Sequence, residues 1–259
     1  MKFRKAKVRE PAFAGSFYPA DKSAVLEILR EFDRNSKDLL ADFYKTFDFK
    51  GLHGLIVPHA GWAYSGKTAF LAYQLLKECR SEKIALMGPS HRQFFQGAYA
   101  DNHELWETPL GDCSIIKDDY FEVNQDIHAR EHSLEVQIPF IQYFSPSSSV
   151  LPLVVGEMTK SLAKDYAHHL IEENYFLVIS SDLSHYNSLE QAKAIDAKSI
   201  AAIERSEESG IDACGINPLK IAFALMGERN LSAHLIDYSN SAEAFGDTTS
   251  VVGYGSFWF

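Results

Sequence analysis

The sequence predicts an α/β protein: a single domain over residues 1–259, three layers deep, with helices on both faces of a mixed, largely parallel sheet. Three observations predict it. Six apolar runs have strand length, and several are nearly continuous in hydrophobicity, as strands buried on both faces require. Helical patterns lie between most of these runs, and strands alternating with helices build three layers. No helical pattern separates the last two runs, so the sheet is mixed and not wholly parallel.

In chain order, the amphipathic stretch Ala24–Phe32 predicts the first helix and Leu52–Val57 the first strand. A turn at Gly66 leads into a helix over Thr68–Cys79, followed by a strand at Lys83–Met87. The stretch Gly97–Lys117 reads as short strands or loops. His132–Phe144 carries apolar residues at Leu134, Ile138 and Ile141, a helical spacing; Pro139 marks the start of that helix or a kink in it. Ser145-Pro146-Ser147-Ser148-Ser149 is too short to divide domains and leads into a strand at Val150–Val155. Thr159 caps a helix over Leu162–Ile171, and Phe176–Ser180 is the next strand. Ser188 stands three residues before Gln191, the spacing of a capping box, ahead of a helix at Ala192–Ile203. Asn217-Pro218 gives an N-cap and a first-turn proline for Leu219–Met226. Strands at Ala233–Tyr238 and Ser250–Phe257 complete the pattern.

Composition narrows the function. With 25 Lys plus Arg against 35 Asp plus Glu, the net charge is −10, which argues against a general nucleic-acid binder and against docking on anionic lipid. Cys79, Cys113 and Cys214 are scattered and odd in number, so a disulfide framework is not expected and a reducing compartment is. The basic opening MKFRKAKVREPAF has no apolar segment after it, and no run approaches the ~18 residues of a membrane helix. The expected location is the cytoplasm.

Three of the strands end in conspicuous polar turns. Leu52–Val57 runs into Pro58-His59-Ala60-Gly61, Lys83–Met87 into Gly88-Pro89-Ser90-His91, and Phe176–Ser180 into Ser181-Asp182-Leu183-Ser184-His185. In open α/β sheets the ligand crevice lies outside the carboxyl ends of the strands, so His59, His91, Asp182 and His185 can converge although far apart in sequence. Neutral imidazoles suit iron, zinc, copper and nickel, and two histidines with one carboxylate leave open positions for a substrate or dioxygen. The bland alternative is four loop residues with structural hydrogen bonds.

The turn Pro58-His59-Ala60-Gly61-Trp62-Ala63-Tyr64-Ser65-Gly66 resembles a motif of the MEMO family, known in bacteria and archaea as AmmeMemoRadiSam system protein B. So do Gly88-Pro89-Ser90-His91, Glu131-His132-Ser133-Leu134-Glu135 and Ser180-Ser181-Asp182-Leu183-Ser184-His185, with the opening from Arg9 to Pro19 and Ala213-Cys214-Gly215. The resemblance implies an extradiol-dioxygenase-like fold. Class III extradiol dioxygenases hold non-haem Fe(II) with two histidines and a glutamate, and use a further histidine as acid/base. By position it implies His59 and His91 as metal ligands and Asp182 and His185 as the pocket's acid/base pair, with His132 lining the same pocket. A cysteine ligand of the animal proteins falls on Ala244, which cannot bind metal. The adjacent Glu243 then either completes the site or is a solvent-facing loop charge. The implied cofactor is Fe(II), with copper or zinc as alternatives.

The resemblance implies two functions. One is a metal-dependent oxidoreductase acting with dioxygen on an aromatic diol or another chelating small molecule. The other is a non-enzymatic adaptor whose pocket takes a peptide or small ligand; the companion proteins of the AmmeMemoRadiSam system are further partners. Other motifs compete. His128-Ala129-Arg130-Glu131-His132 reads H-x-x-E-H, a protease signature that needs both histidines on one helical face. Ser90, Ser181 and Ser184 lack a nucleophile elbow and read as turn caps. Cys214 is either a pocket thiol or a small buried hydrophobe. Trp62, Tyr64 and Tyr186 either wall a flat ligand or cover the sheet end.

Overall fold

The structure is a computed structural model that describes residues 7–46, 51–79 and 81–259; the first six residues of the basic opening lie outside them. Strand β1 (Val8–Arg9) and helix α1 (Lys22–Thr46) precede β2 (Gly54–Val57), α2 (Trp62–Tyr73) and β3 (Lys83–Pro89). Four short strands follow, β4 (Ala98–Ala100), β5 (Leu105–Thr108), β6 (Gly111–Ser114) and β7 (Glu122–Val123), then three short helices, α3 (Gln125–His128), α4 (His132–Glu135) and α5 (Ile138–Phe144). The remainder is β8 (Ser149–Val155), α6 (Lys160–Glu172), β9 (Phe176–Ser180), α7 (Leu189–Glu204), α8 (Ile216–Arg229), β10 (His234–Asn240), α9 (Ser241–Phe245) and β11 (Gly253–Trp258).

The main sheet has the order β10-β11-β2-β9-β3-β8-β4-β7. Its centre, β2, β9, β3 and β8, is parallel, while β10, β11 and β4 join antiparallel. The predicted mixed α/β sheet is the one observed. A separate small sheet of β1, β5 and β6 occupies part of the stretch 97–117.

The central strands are buried on both faces, and their alternation assigns each layer. Leu55, Val57, Ile84, Leu86, Val150 and Val178 pack against Leu29 of α1, Phe70 of α2 and Phe140 of α5. Their neighbours Ile56, Ala85, Met87, Leu151, Leu153 and Ile179 pack against Ala167 of α6, Ile203 of α7 and Leu225 of α8. Helices therefore cover both faces of the sheet. Among the described residues no helix is long and apolar enough to cross a membrane.

Several local expectations change. Gly66 is not a turn; it lies inside α2, where a Cβ would stand 2.9 Å from the Phe32 ring, so its role is close approach of α1. The predicted helix at 132–144 is broken, with Pro139 in the first turn of α5 as one of the two alternatives required. Thr159 caps α6 as expected, accepting from the Leu162 N–H at 3.2 Å. The Ser188 capping box does not form; its hydroxyl donates to Gln191 Oε1 instead. Ser188 still stands at the N-cap position of α7, whereas Asn217 is not the N-cap of α8. Its Oδ1 accepts from the Met158 N–H and from Lys220 Nζ, and α8 starts before it at Ile216.

The segment before α1 is tied down by one buried carboxylate. Glu135 accepts from Arg9 Nη1 at 2.6 Å, Tyr18 Oη at 3.0 Å and the backbone N–H groups of Ala12 and Phe13 at 3.0 and 2.7 Å. A buried charge is tolerable only when its lone pairs are so occupied. Removing one member leaves the others buried and unpaired. Glu135→Ala should therefore lower the unfolding free energy by about 3–5 kcal/mol in urea titrations. The amides of Ala12 and Phe13 should also lose hydrogen-exchange protection. Unchanged protection there would show that the segment is held by its aromatic contacts alone.

Candidate functional site

Because β2, β9 and β3 are adjacent and parallel, their carboxyl ends meet at one edge of the sheet. The turns after them converge on a cavity of about 710 Å³ lined by His59, His91, His132, Asp182 and His185, with Cys214 and Phe17 in its wall. The rings of His59, His91 and His132 form a triangle with centroids 4.7–5.3 Å apart. The five residues singled out by the sequence thus share one cavity. Glu243 does not join them. It is exposed in the first turn of α9, where Asn240 Nδ2 donates to its Oε1 at 2.8 Å. Its position there is that of a helix-start carboxylate, stabilised by the local amide ends.

Hydrogen-bond accounting assigns the imidazole tautomers. Ser180 Oγ donates its one proton to the Ser133 carbonyl at 2.6 Å. It accepts from Gln137 Nε2, whose other proton goes to the Pro58 carbonyl. His59 Nδ1, 2.9 Å from the same oxygen, must therefore be a donor, which turns the Nε2 lone pair towards the cavity, 3.3 Å from Cys214 Sγ. Burial, with the neighbouring His91, holds the His59 pKa down at about 3, so the ring is neutral.

His91 is fixed in the same sense by Glu131. The carboxylate accepts from His91 Nδ1 at 2.9 Å and from the His91 backbone N–H, and it also caps α4 through the Ser133 N–H. Burial pushes the Glu131 pKa up, but the hydrogen bonds from His91 outweigh it and bring it to about 2. An ionised Glu131 against Nδ1–H leaves His91 Nε2 as the free donor atom. Such carboxylate–imidazole pairs are the usual support of metal-ligating histidines. Donor atoms of His59, His91 and Cys214 lie within 4.8 Å of one another. The residues present therefore fit a metal ion, through two imidazole nitrogens whose lone pairs face the cavity.

The acid/base candidates have unlike surroundings. Asp182 is buried; its Oδ1 accepts the His59 backbone N–H at 2.7 Å, and burial pushes its pKa up despite that bond. His132 has its pKa lowered to about 4, chiefly by burial and then by His59, and Phe17 lies on it with ring centroids 4.6 Å apart. His185 is half-buried at the cavity wall, next to Tyr186, which takes a left-handed φ of 62°.

The competing motifs resolve in physical terms. His128 and His132 sit on separate short helices; His128 is buried and its Nε2 contacts the Tyr99 carbonyl at 2.9 Å, so no protease pair forms. Ser181 Oγ accepts from the Gly215 N–H and donates to the Asp182 carbonyl, a turn cap. Sequence reasoning missed three supporting residues, Glu131 as the partner of His91, Ser180 and Gln137. Glu135, in the same motif as Glu131 and His132, turns away from the cavity towards Arg9.

A three-layer α/β/α chain with a histidine cluster at its parallel strand ends is a class that the comparisons narrow further. The profile of the Memo-like protein family matches residues 9–258, and the chain belongs to that family. A "MEMO1 family protein" of Aquifex aeolicus is 35% identical, covering 96% of this chain and 97% of its own length. Relatives of the same description from Thermoplasma volcanium and Nitrosopumilus maritimus are each 31% identical, over 96% and 97% of this chain and 97% and 99% of their own. Among solved structures, an uncharacterised protein from Escherichia coli K12 aligns with 80% of this chain and 98% of its own at 11% identity, with a TM-score of 0.46.

The depressed histidine pKa values predict a pH dependence for the metal-free protein. His59, His128 and His132 stay neutral when folded down to about pH 3 to 4. The unfolded chain takes up those protons near pH 6.5, so it binds more protons in the interval between. Their stabilisation is complete above pH 6.5 and falls as the pH drops towards 4, by up to roughly 4 kcal/mol per pH unit for three protons. Urea midpoints of chelator-treated protein from pH 7 to 5 should decline accordingly; a flat series would contradict the neutral assignments.

Proposed function

We propose that this chain is a metal-dependent oxidoreductase that acts with dioxygen on a small chelating substrate such as an aromatic diol. The observation that carries the reading is the pair of Nε2 lone pairs, on His59 and His91, aimed into one cavity and locked in that tautomer by Ser180 and Glu131. A metal ion held there would polarise the oxygen atoms of a bound substrate and ease loss of their protons. Imidazoles alone suit iron, copper and zinc, and Fe(II) is the ion implied by the resemblance to extradiol dioxygenases.

The chain's own groups supply the rest. Asp182 holds its proton to higher pH than an ordinary carboxyl, because it is buried, and can pass that proton into the cavity. His185, three residues on, stands at the wall where a substrate hydroxyl would deliver its proton. His132, neutral and packed under Phe17, offers an uncharged hydrogen-bonding edge that orients the substrate. Phe17 and Tyr254 shield part of the cavity from water.

A second reading, a binding module without turnover, is favoured by exposed aromatic rings at the cavity, of which Tyr64 and Tyr186 line it. Tyr64, Tyr186 and Phe245 are exposed, and the rings of Tyr64 and Phe245 lie 4.5 Å apart. Such a surface suits an aromatic or peptide side chain as well as a flat substrate.

Oxygen uptake separates the two. Protein loaded anaerobically with Fe(II), Cu(I) or Zn(II) and then given catechol and dioxygen should consume oxygen with at least one redox-active ion. His59→Ala should lose both metal and uptake. His185→Gln should keep the metal and slow uptake by about 10²–10⁴-fold. Metal retention with no uptake for any ion would leave the binding-module reading.

A further inference from the structure

We propose that a second, apolar cavity behind Phe17 holds a hydrophobic substituent of the substrate, so that the preferred ligand is a diol carrying an alkyl or aryl tail. The inference rests on the reading that the strand-end cavity takes a small chelating diol.

Phe17 is a wall shared by two spaces. It lines the strand-end cavity and also a cavity of about 380 Å³ bounded by Tyr18, Ile28 and Phe32, with Trp62 and Ala63 at the start of α2. The two linings follow one another along the chain as well. Gly61 belongs to the first space, and Trp62 and Ala63 belong to the second.

The second space is apolar in its chemistry. Two of its rings have polar ends, and both ends are engaged elsewhere. Trp62 Nε1 donates to the Val136 carbonyl at 3.1 Å, and Tyr18 Oη donates to Glu135 at 3.0 Å. What these side chains leave for the cavity is ring carbon. Among the lining residues Glu31 alone is charged, and it is exposed on α1. A polar group entering here would lose water and find few partners, whereas hydrocarbon gains by leaving water.

Gly61 keeps room beside the shared wall. It is the N-cap of α2, with φ −52° and ψ 143°, a conformation that any residue adopts, and α2 has no capping side-chain hydrogen bond. Serine, threonine or aspartate there would satisfy an amide of the first turn. A Cβ on Gly61 would meet only ordinary contacts, with the Phe17 carbonyl oxygen at 3.5 Å and the Tyr64 ring at 3.7 Å. Neither backbone strain nor crowding calls for glycine at this position. The missing side chain leaves space between Phe17 and Tyr64 through which a tail can pass.

Phe17 is placed to yield to such a tail. Its backbone is fixed at both ends: its N–H donates to the Phe13 carbonyl at 3.0 Å, and its carbonyl accepts from the Trp62 N–H at 2.7 Å. Its side chain is half-buried and rests on the rings of Phe13 and His132, with centroids 5.5 and 4.6 Å away. Rotation about χ1 moves that ring alone and joins the two spaces, while a diol stays at His59 and His91.

Calorimetric titration of the full-length protein, loaded with Zn(II) so that no oxidation occurs, reads the subsite as a chain-length increment. From catechol to butylcatechol the Kd should fall by at least about 10-fold, which lies within what burial of the added methylenes supplies. Gly61→Val, which narrows the way in, and Ile28→Trp, which fills the space from α1, should each remove most of that increment. A second measurement does not depend on the diol. Hexanol added to the metal-free protein should shift the indole N–H resonance of Trp62, identified by its loss in Trp62→Phe, and leave those of Trp106 and Trp258 in place. A Trp62 resonance unmoved by hexanol, or equal affinities for catechol and butylcatechol in wild type, overturns the tail subsite and leaves the diol reading. A Trp62 resonance that moves with protein concentration alone gives the cavity to a second copy of the chain and likewise overturns the subsite. Hexanol binding without binding of either catechol overturns the diol reading and, with it, the tail as part of a substrate.

Discussion

Parallel pairing of β2, β9 and β3 is the constraint on which the site depends. A strand delivers one turn at its carboxyl end, and parallel neighbours about 4.8 Å apart deliver theirs side by side. The register does so here: Ile56 and Val57 of β2 stand beside Ile179 and Ser180 of β9, and Met87 of β3 beside Ile179. His59, Asp182 and His91 then need only the two or three residues after each strand to reach a common space. Reversing any one of the three strands would move its residue to the opposite edge of the sheet.

That convergence crowds polar groups where water is scarce, and Gln137 and Glu131 answer it with several hydrogen bonds each. Gln137 is buried and has every polar atom engaged: Nε2 with the Pro58 carbonyl and Ser180 Oγ, Oε1 with Tyr73 Oη. It joins the turn after β2 to β9 and to the break between α4 and α5. Glu131 likewise joins the turn after β3 to the start of α4. The break at Pro139 therefore has a purpose beyond proline's missing N–H. A continuous helix from His132 to Phe144 would turn His132 and Gln137 away from the groups they now meet. The rigidity that results is what allows a tautomer to be specified, since one displaced partner would let either imidazole rotate.

The sheet was legible because its central strands are buried on both faces and so read as continuous apolar runs. The strand-end histidines were legible because a polar pair after such a run has few structural uses. Helix starts were less so. Asn217 and Ser188 have capping side chains, yet other partners took their hydrogen bonds: the distant Met158 and the local Lys220 for one, and the local Gln191 side chain for the other. Gly66 looked like punctuation because sequence does not show that another helix, α1, presses on α2 at that point. Glu131 and Ser180 were hidden in plain motifs, since a supporting role appears only when the partner's second nitrogen is located in space.

Glu243 and Cys214 show the same limit most clearly. Alignment places Glu243 near the expected ligand by position along the chain, but α9 turns it outwards and Asn240 occupies its carboxylate. Cys214 is 29 residues before it and carries no local sign beyond the glycine that follows. The signal was in fact Cys-Gly together with Ser181: a residue without Cβ packed on a serine whose hydroxyl binds its amide. Such a contact brings the chain after α7 back onto the turn after β9, and the thiol arrives beside His59 as a consequence. Asp182 and Cys214 are thereby tied to one backbone turn: the Asp182 N–H points at Cys214 Sγ and the Cys214 N–H donates to the Asp182 carbonyl, so a change in the spacing of either loop would displace both from the cavity wall they share.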